Sequence, residues 1–177
     1  MGIPTLISTA TASNAATVDI TSGIGSTYDE YMFVCTDIGP ATDNDNFSFQ
    51  VNAAGGSGFN ETITSTAFYA QLDESHGNAF LGVRGGMDQA QGTAYQPLTE
   101  GGGNGADEST AGILHLFSPA STTYVKHFYA QFNFYHYGDY TNVMHFAGYI
   151  NTTTAIDEIS FKMSSGNFDG VIQMYGI

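Results

Sequence analysis

Cations are the scarcest feature of this chain. Its 177 residues include only 3 Lys and Arg (Arg84, Lys126 and Lys162) against 17 Asp and Glu, a formal net charge of −14. A surface that neutralises nucleic-acid phosphates needs far more positive charge, so direct DNA or RNA binding is excluded. Charge of either sign is thin, at 11 % of residues, where soluble domains usually carry about 25 %. The acidic surplus fits mutual repulsion as a solubility device. It also fits life in salty water, where charges are screened within about 8 Å.

Cysteine is almost missing. The single Cys35 lies in the apolar run "YMFVC", so no intrachain disulfide can form, and the residue reads as a small buried hydrophobe. No stretch approaches the ~18 consecutive apolar residues of a membrane helix, so no membrane association is expected. The opening "MGIPTLISTATASN" has no charged n-region and no apolar core of signal-peptide length. Leu6 stands where a myristoylation pattern requires Ser or Thr. Good helix formers are sparse, and 22 glycines interrupt any helical period.

What remains is strand chemistry. In "NFSFQVN" Phe47, Phe49 and Val51 share one face, opposite Ser48, Gln50 and Asn52; in "IDEISFKM" Ile159, Phe161 and Met163 oppose Glu158, Ser160 and Lys162. "YVKHFYAQFNF" places Phe128, Ala130, Phe132 and Phe134 on one side. "TITSTAFYAQL", "ATVDIT", "YDEYMFVCTD", "AGILHLF", "MHFAGYIN" and "GVIQMYG" bring the candidates to nine. "AGILHLF" and "YMFVC" are apolar on both faces, as central strands are. Strands at this spacing, with turn clusters between them, give an all-β antiparallel sandwich. A jelly roll of two four-stranded sheets is the first choice. The final strand, Val171 to Tyr175, is expected to pair with "IDEISFKM" as a hairpin, with Ile172 and Met174 on one face. One domain spans residues 1–177, with residues 85–110 forming a Gly- and Gln-rich surface insertion that holds a short strand near Tyr95.

Catalytic constellations are not legible. The five histidines are His76, His115, His127, His136 and His145, and none shows the close spacing of a zinc signature. "TDNDN", Thr42 to Asn46, begins like a calcium loop. Counted from Asp43, however, the positions that need Gly and an acid hold Ser48 and Ala54. Side-chain-capped turns are expected there. "GGGNG" has no following Lys or helix, so it is no phosphate cradle. Acid pairs such as Asp73/Glu74 and Asp157/Glu158 are adjacent in sequence and point to opposite faces of a strand, unlike glycosidase carboxylates. No catalytic residue, metal site or cofactor is assigned. Aromatic density in "HFYAQFNFYHYGDY" is the remaining feature. Tyr135, Tyr137 and Tyr140 of that hairpin are the candidate partner contact, because exposed Tyr supplies rigid amphipathic area.

Three stretches, "TSGIGSTYDEYMFVCTDIGPATDNDNFSFQ", "STTYVKHFYAQ" and "GYINTTTAIDEISFKMSSGNFDGVIQMYGI", together resemble a family of small virion proteins of tailed bacteriophages, especially marine cyanophage-like phages. The similarity extends over nearly the whole chain. It is most distinctive from Gly166 to the closing "YGI" and weakest over the glycine-rich insertion. The resemblance implies a non-enzymatic structural role on the virion exterior, in a particle assembled in the host cytoplasm. Two readings follow. One is a capsid decoration protein, a knob or cement subunit on the head, whose partner is the major capsid protein. The other is a receptor-binding module of a tail fibre, attached to tail proteins and contacting a host surface glycan. Virion jelly rolls commonly act in symmetric sets, so a homo-oligomer is expected, with a trimer as one form. A sugar hydrolase on a β-sandwich is the third and weakest reading.

Overall fold

The computed structural model describes residues 3–177. In chain order the strands are β1 (Thr5–Ala15), β2 (Val18–Ile20), β3 (Glu30–Pro40), β4 (Phe47–Ala53), β5 (Ile63–Asp73), β6 (Ala79–Val83), β7 (Ala90–Gly92), β8 (Gln96–Pro97), β9 (Thr110–Phe117), β10 (Lys126–His136), β11 (Tyr140–Ile150), β12 (Ile156–Met163) and β13 (Phe168–Gly176). No helix occurs among the described residues.

The strands form two antiparallel sheets. The large one runs β1-β13-β3-β9-β10-β11-β5-β6, with β7 also paired to β5; the small one runs β2-β12-β4-β8. Eight of these strands have the order of a long antiparallel ribbon rolled over on itself. If β1, β2, β3, β4, β8, β9, β12 and β13 are taken as first to eighth, the first pairs the eighth and the third pairs the sixth in one sheet. The second pairs the seventh and the fourth pairs the fifth in the other. That is the double Greek key of a jelly roll. The other five strands, β5, β6, β7, β10 and β11, all extend the large sheet. The total of 13 strands therefore exceeds the nine expected, and the sheets are unequal.

Packing follows the alternation in the sequence. Phe47, Phe49 and Val51 of β4 lie beside Met163, Phe161 and Ile159 of β12, and all six are buried. Their rings meet those of the large sheet: Phe33–Phe161 at 5.7 Å, Phe47–Phe132 at 6.0 Å and Phe49–Phe128 at 5.2 Å. Such offset aromatic pairs add to the burial of apolar area. Two glycines make room for them. A Cβ on Gly112 would lie 2.4 Å from the Phe132 ring, and one on Gly148 2.8 Å from Phe128. Cys35 sits in this core, where burial pushes its thiol well above the ordinary value.

Two sequence expectations need correction, and one long strand was not anticipated. The hairpin between β12 and β13 does not form: β12 lies in the small sheet and β13 in the large one, between β1 and β3. The connection folds over instead, pinned by the buried Asp45, whose carboxylate accepts hydrogen bonds from the Ser164 hydroxyl and from the Ser165 N–H and hydroxyl. The N-terminal segment is a long strand, β1, which its small residues hid from the period-2 test. Segment 85–110 is also more than a surface insertion, since Gln96, Leu98 and Thr99 are buried. Its β8 completes the small sheet, near the expected Tyr95, and its β7 pairs β5 of the large one. The Gln96 amide oxygen accepts from Ser65 of β5 at 2.6 Å, and Gln50 of β4 donates to the carbonyls of Thr93 and Ala94. The segment thus stitches the two sheets along one side.

All three cations are engaged away from the open face of the large sheet. Arg84 donates two hydrogen bonds of 2.5 Å to Glu100. Lys162 lies 4.3 Å from the Tyr95 ring centroid. Lys126 is buried and donates to the carbonyls of Thr152 at 3.1 Å and Thr154 at 2.6 Å; burial lowers its pKa.

Candidate functional site

The large sheet has an inner face against the core and an outer face over which nothing packs among the described residues. Alternation fixes which residues stand outside. On β10 the inner row is Phe128, Ala130, Phe132 and Phe134, all buried, so Tyr129, Gln131, Asn133 and Tyr135 face out. The register then carries the rows across the sheet. One row is Tyr175, Met32, His115, Tyr129, Ala147 and Thr66. The next is Gln173, Val34, Ile113, Gln131, His145, Phe68 and Val83. A third holds Ala111, Asn133, Val143, Ala70 and Leu81.

None of these side chains is Lys, Arg, Asp or Glu, in a chain with 17 acids. The face is instead aromatic, aliphatic and amide-bearing. Phe68 is 46 % and Tyr129 45 % exposed. Their rings lie in cross-strand stacks: His115 on Tyr129 at 4.4 Å and 15°, and Phe68 on His145 at 4.6 Å and 8°. Phe117 extends the first stack, 5.8 Å from Tyr129. Glu30 at the rim hydrogen-bonds His115 Nδ1 at 2.5 Å, which fixes the imidazole plane. Beside the first stack, over β3, β9 and β10, is a shallow hollow of about 450 Å³, lined in part by Val34, Thr36, Ile113, His115, Tyr129, Gln131 and Asn133. The Asn133 amide is held by the Asn142 carbonyl, to which it donates at 2.9 Å. A surface of this composition suits binding by desolvation, ring contact and amide hydrogen bonds.

The tyrosines of the β10–β11 hairpin do not gather into one patch. Tyr135 belongs to the outer face, opposite Thr141. Its hydroxyl donates to Glu74 at 2.8 Å, and that carboxylate pushes the phenol pKa up. Tyr140 pairs His136 on the inner side, edge-on at 5.4 Å. Tyr137 is exposed at the turn with its ring 4.4 Å from that of His136. The three share a hairpin end but point in different directions. The residues that do form a continuous surface, Tyr129, His115, Phe68 and His145, went unselected in the sequence. The signals for them were that "AGILHLF", which holds His115, is apolar on both faces, and that Tyr129 lies in the aromatic run "HFYAQFNFYHYGDY".

Nearby polar clusters are accounted for by local structure. Asp73 closes the β5–β6 turn by accepting from the Asn78 side chain and the Gly77 N–H, each at 2.7 Å. Those bonds, the Asn78 side chain first, hold its carboxyl below the usual range. Among the described residues no three His, Cys, Asp or Glu are grouped to hold a metal ion. No helix of the described residues is long and apolar enough to cross a membrane. Compared with protein-family models, curated proteins and solved structures, the chain matches none of them.

Proposed function

We propose that the protein is a non-enzymatic structural component of a tailed-phage virion, a decoration subunit that sits on the head exterior through the outer face of its large sheet. The observation that carries this reading is that face: broad, exposed and free of charged side chains across three rows of strands. A face built this way suits a flat protein partner repeated by symmetry, because apolar area and aromatic rings supply the binding while the remaining acidic surface resists non-specific aggregation. The virion setting rests on the sequence resemblance. Cryo-EM of virions decorated with labelled protein tests it. Density on the capsid lattice, lost for Tyr129→Asp, is the expected result; density on the tail alone would overturn the head assignment.

A second reading is favoured by the hollow beside Tyr129, where the Gln131 and Asn133 amides flank stacked rings. Rings and planar amides together suit a sugar, which points to a tail-fibre module binding host-surface glycan. A glycan array separates the two readings: saturable binding that disappears in Tyr129→Ala favours the tail module, and no binding favours decoration.

A further inference from the structure

We propose that β6 is a self-pairing edge, through which two copies of this chain join their large sheets about a two-fold axis at Leu81. It concerns the sheet's rim, where Val83 and Leu81 end two rows of the outer face, and it does not depend on what binds that face.

The fold has four sheet edges, and three are blunted. β2 and β8 have 3 and 2 residues. β1 is long but broken by two register shifts, between Leu6 and Ser8 and between Ala12 and Ala15. Short strands and bulges are the usual ways to keep an edge from recruiting another chain. β6 has neither. Its sequence AFLGV contains no charge and no proline, and its pairing with β5 is regular from Ala79 to Val83. Among the described residues nothing pairs with its other side. Leu81 is 71 % and Val83 76 % exposed. A charge-free apolar strand at the rim of a chain of net charge −14 is what needs explaining.

The hydrogen-bond phase of β6 determines what it can accept. The Asp73 N–H donates to the Asn78 carbonyl at 3.1 Å and the Arg84 N–H to the Ala67 carbonyl at 2.9 Å. In an antiparallel ladder, hydrogen-bonded pairs alternate with non-bonded ones. Phe80 and Gly82 therefore bond Gln71 and Tyr69 of β5, while the N–H and C=O groups of Ala79, Leu81 and Val83 point to the open side. Turned about a two-fold at Leu81, the strand meets itself in antiparallel register. Leu81 faces Leu81 of the second copy, and Ala79 faces Val83 in both directions. Every outward donor then finds an outward acceptor.

The side chains fit the same register. On the outer side, Leu81 meets its symmetry mate at the axis, with the small Ala79 opposite the larger Val83. On the inner side, Phe80 faces Gly82. A Cβ at Gly82 would lie 2.5 Å from the Phe80 ring of its own strand, so glycine is what lets that ring lie along the strand and stack on Tyr69 at 5.3 Å. An isologous contact of this kind closes on itself and does not polymerise. Two acidic bodies repel, so added salt should tighten the pair.

The test is sedimentation equilibrium at about 0.1–0.5 M NaCl, combined with cysteine cross-linking; Cys35 is buried and does not compete. The full chain is expected to be a dimer that strengthens with salt. Leu81→Lys, which sets two ammonium groups together at the axis, and Leu81→Pro, which removes only an outward donor, are both expected to be monomers with unchanged circular dichroism. Mild oxidation should join Leu81→Cys to itself. Ala79→Cys should not join itself, because its symmetry mate is four residues along the ladder, roughly 13 Å away. A mixture of Ala79→Cys and Val83→Cys should cross-link. A monomer throughout, a trimer unaffected by Leu81→Lys, or self-linking of Ala79→Cys as readily as Leu81→Cys would overturn the proposal.

Discussion

The ring of Phe47 lies parallel to that of Phe161, 5.7 Å away with an angle of 11° between planes, and both face the large sheet. Phe47 also contacts Phe132 of β10 at 6.0 Å and Phe168 of β13 at 5.6 Å. One side chain thus joins two strands of the small sheet to two of the large one. Phe47→Ala is expected to destabilise the fold by about 3–5 kcal/mol, the range for a buried Phe truncation that leaves a cavity. Tyr129→Ala, on the outer face, is expected to stay within about 1 kcal/mol while removing partner binding. Chemical denaturation of the two variants checks the contrast. Equal losses would mean that the outer face is structural.

That contrast shows how far the sequence could be read. The alternation in β4 and β12 was plain because Phe47, Phe49, Val51, Ile159, Phe161 and Met163 all face one core. β1 was invisible because Thr5–Ala15 is mostly Thr, Ser and Ala, whose small side chains show no apolar period. β6 escaped for the opposite reason: all but its glycine are apolar, and both its faces are open, so nothing alternates. The position of β13 was beyond any local pattern, since the alternation of buried Ile172 and Met174 with half-buried Gln173 and Tyr175 does not say which sheet receives the strand. The candidate face depended on register in the same way. Phe68 and His145 are far apart in sequence and become a stacked pair only when β5 lies beside β11.

Asp45 should carry more of the fold than a loop carboxylate usually does. It is buried, its carboxylate accepts from both Ser164 and Ser165, and it accepts from the Asn46 N–H at 2.7 Å. Asp45→Ala leaves those donors without a partner where the chain passes from the small sheet to the large one. We expect a loss of at least about 1.5–3 kcal/mol, the range for a single hydrogen bond to a charged group. Thermal melts of Asp45→Ala and Asp45→Asn check it. The asparagine should recover part of the loss, since its amide oxygen still accepts.

Removing residues 173–177 should abolish folding. β13 is paired on both sides, with Gln173 beside Thr9 and Val34, and Met174 beside Ser8 and Phe33. The deletion takes the buried Met174 from the core. It also unpairs β1 and β3 along half their length, leaving ladder groups with no partner in the interior. A truncated chain is expected to lack dispersed amide resonances. A cooperative unfolding transition in that chain would refute the role given to β13.

His136 makes stability depend on pH with a definite sign. Its Nδ1 accepts from the Gly138 N–H at 3.1 Å, which favours the neutral ring. Burial, the largest influence, lowers its pKa below the ordinary 6.5, and Arg84 adds to this, against the opposing pull of Glu100 and Asp43. In the window between the folded and unfolded values the unfolded chain binds the proton more readily, so stability rises with pH. The contribution is complete above the unfolded value, is lost as pH falls through the folded one, and changes no further below it. His136→Asn keeps an acceptor near Gly138 and cannot titrate. The difference in melting temperature between the native chain and this variant should therefore favour the native chain most above the ordinary imidazole value of about 6.5 and shrink as pH falls below it. A difference that stays constant with pH would mean that His136 titrates alike in the folded and unfolded chains.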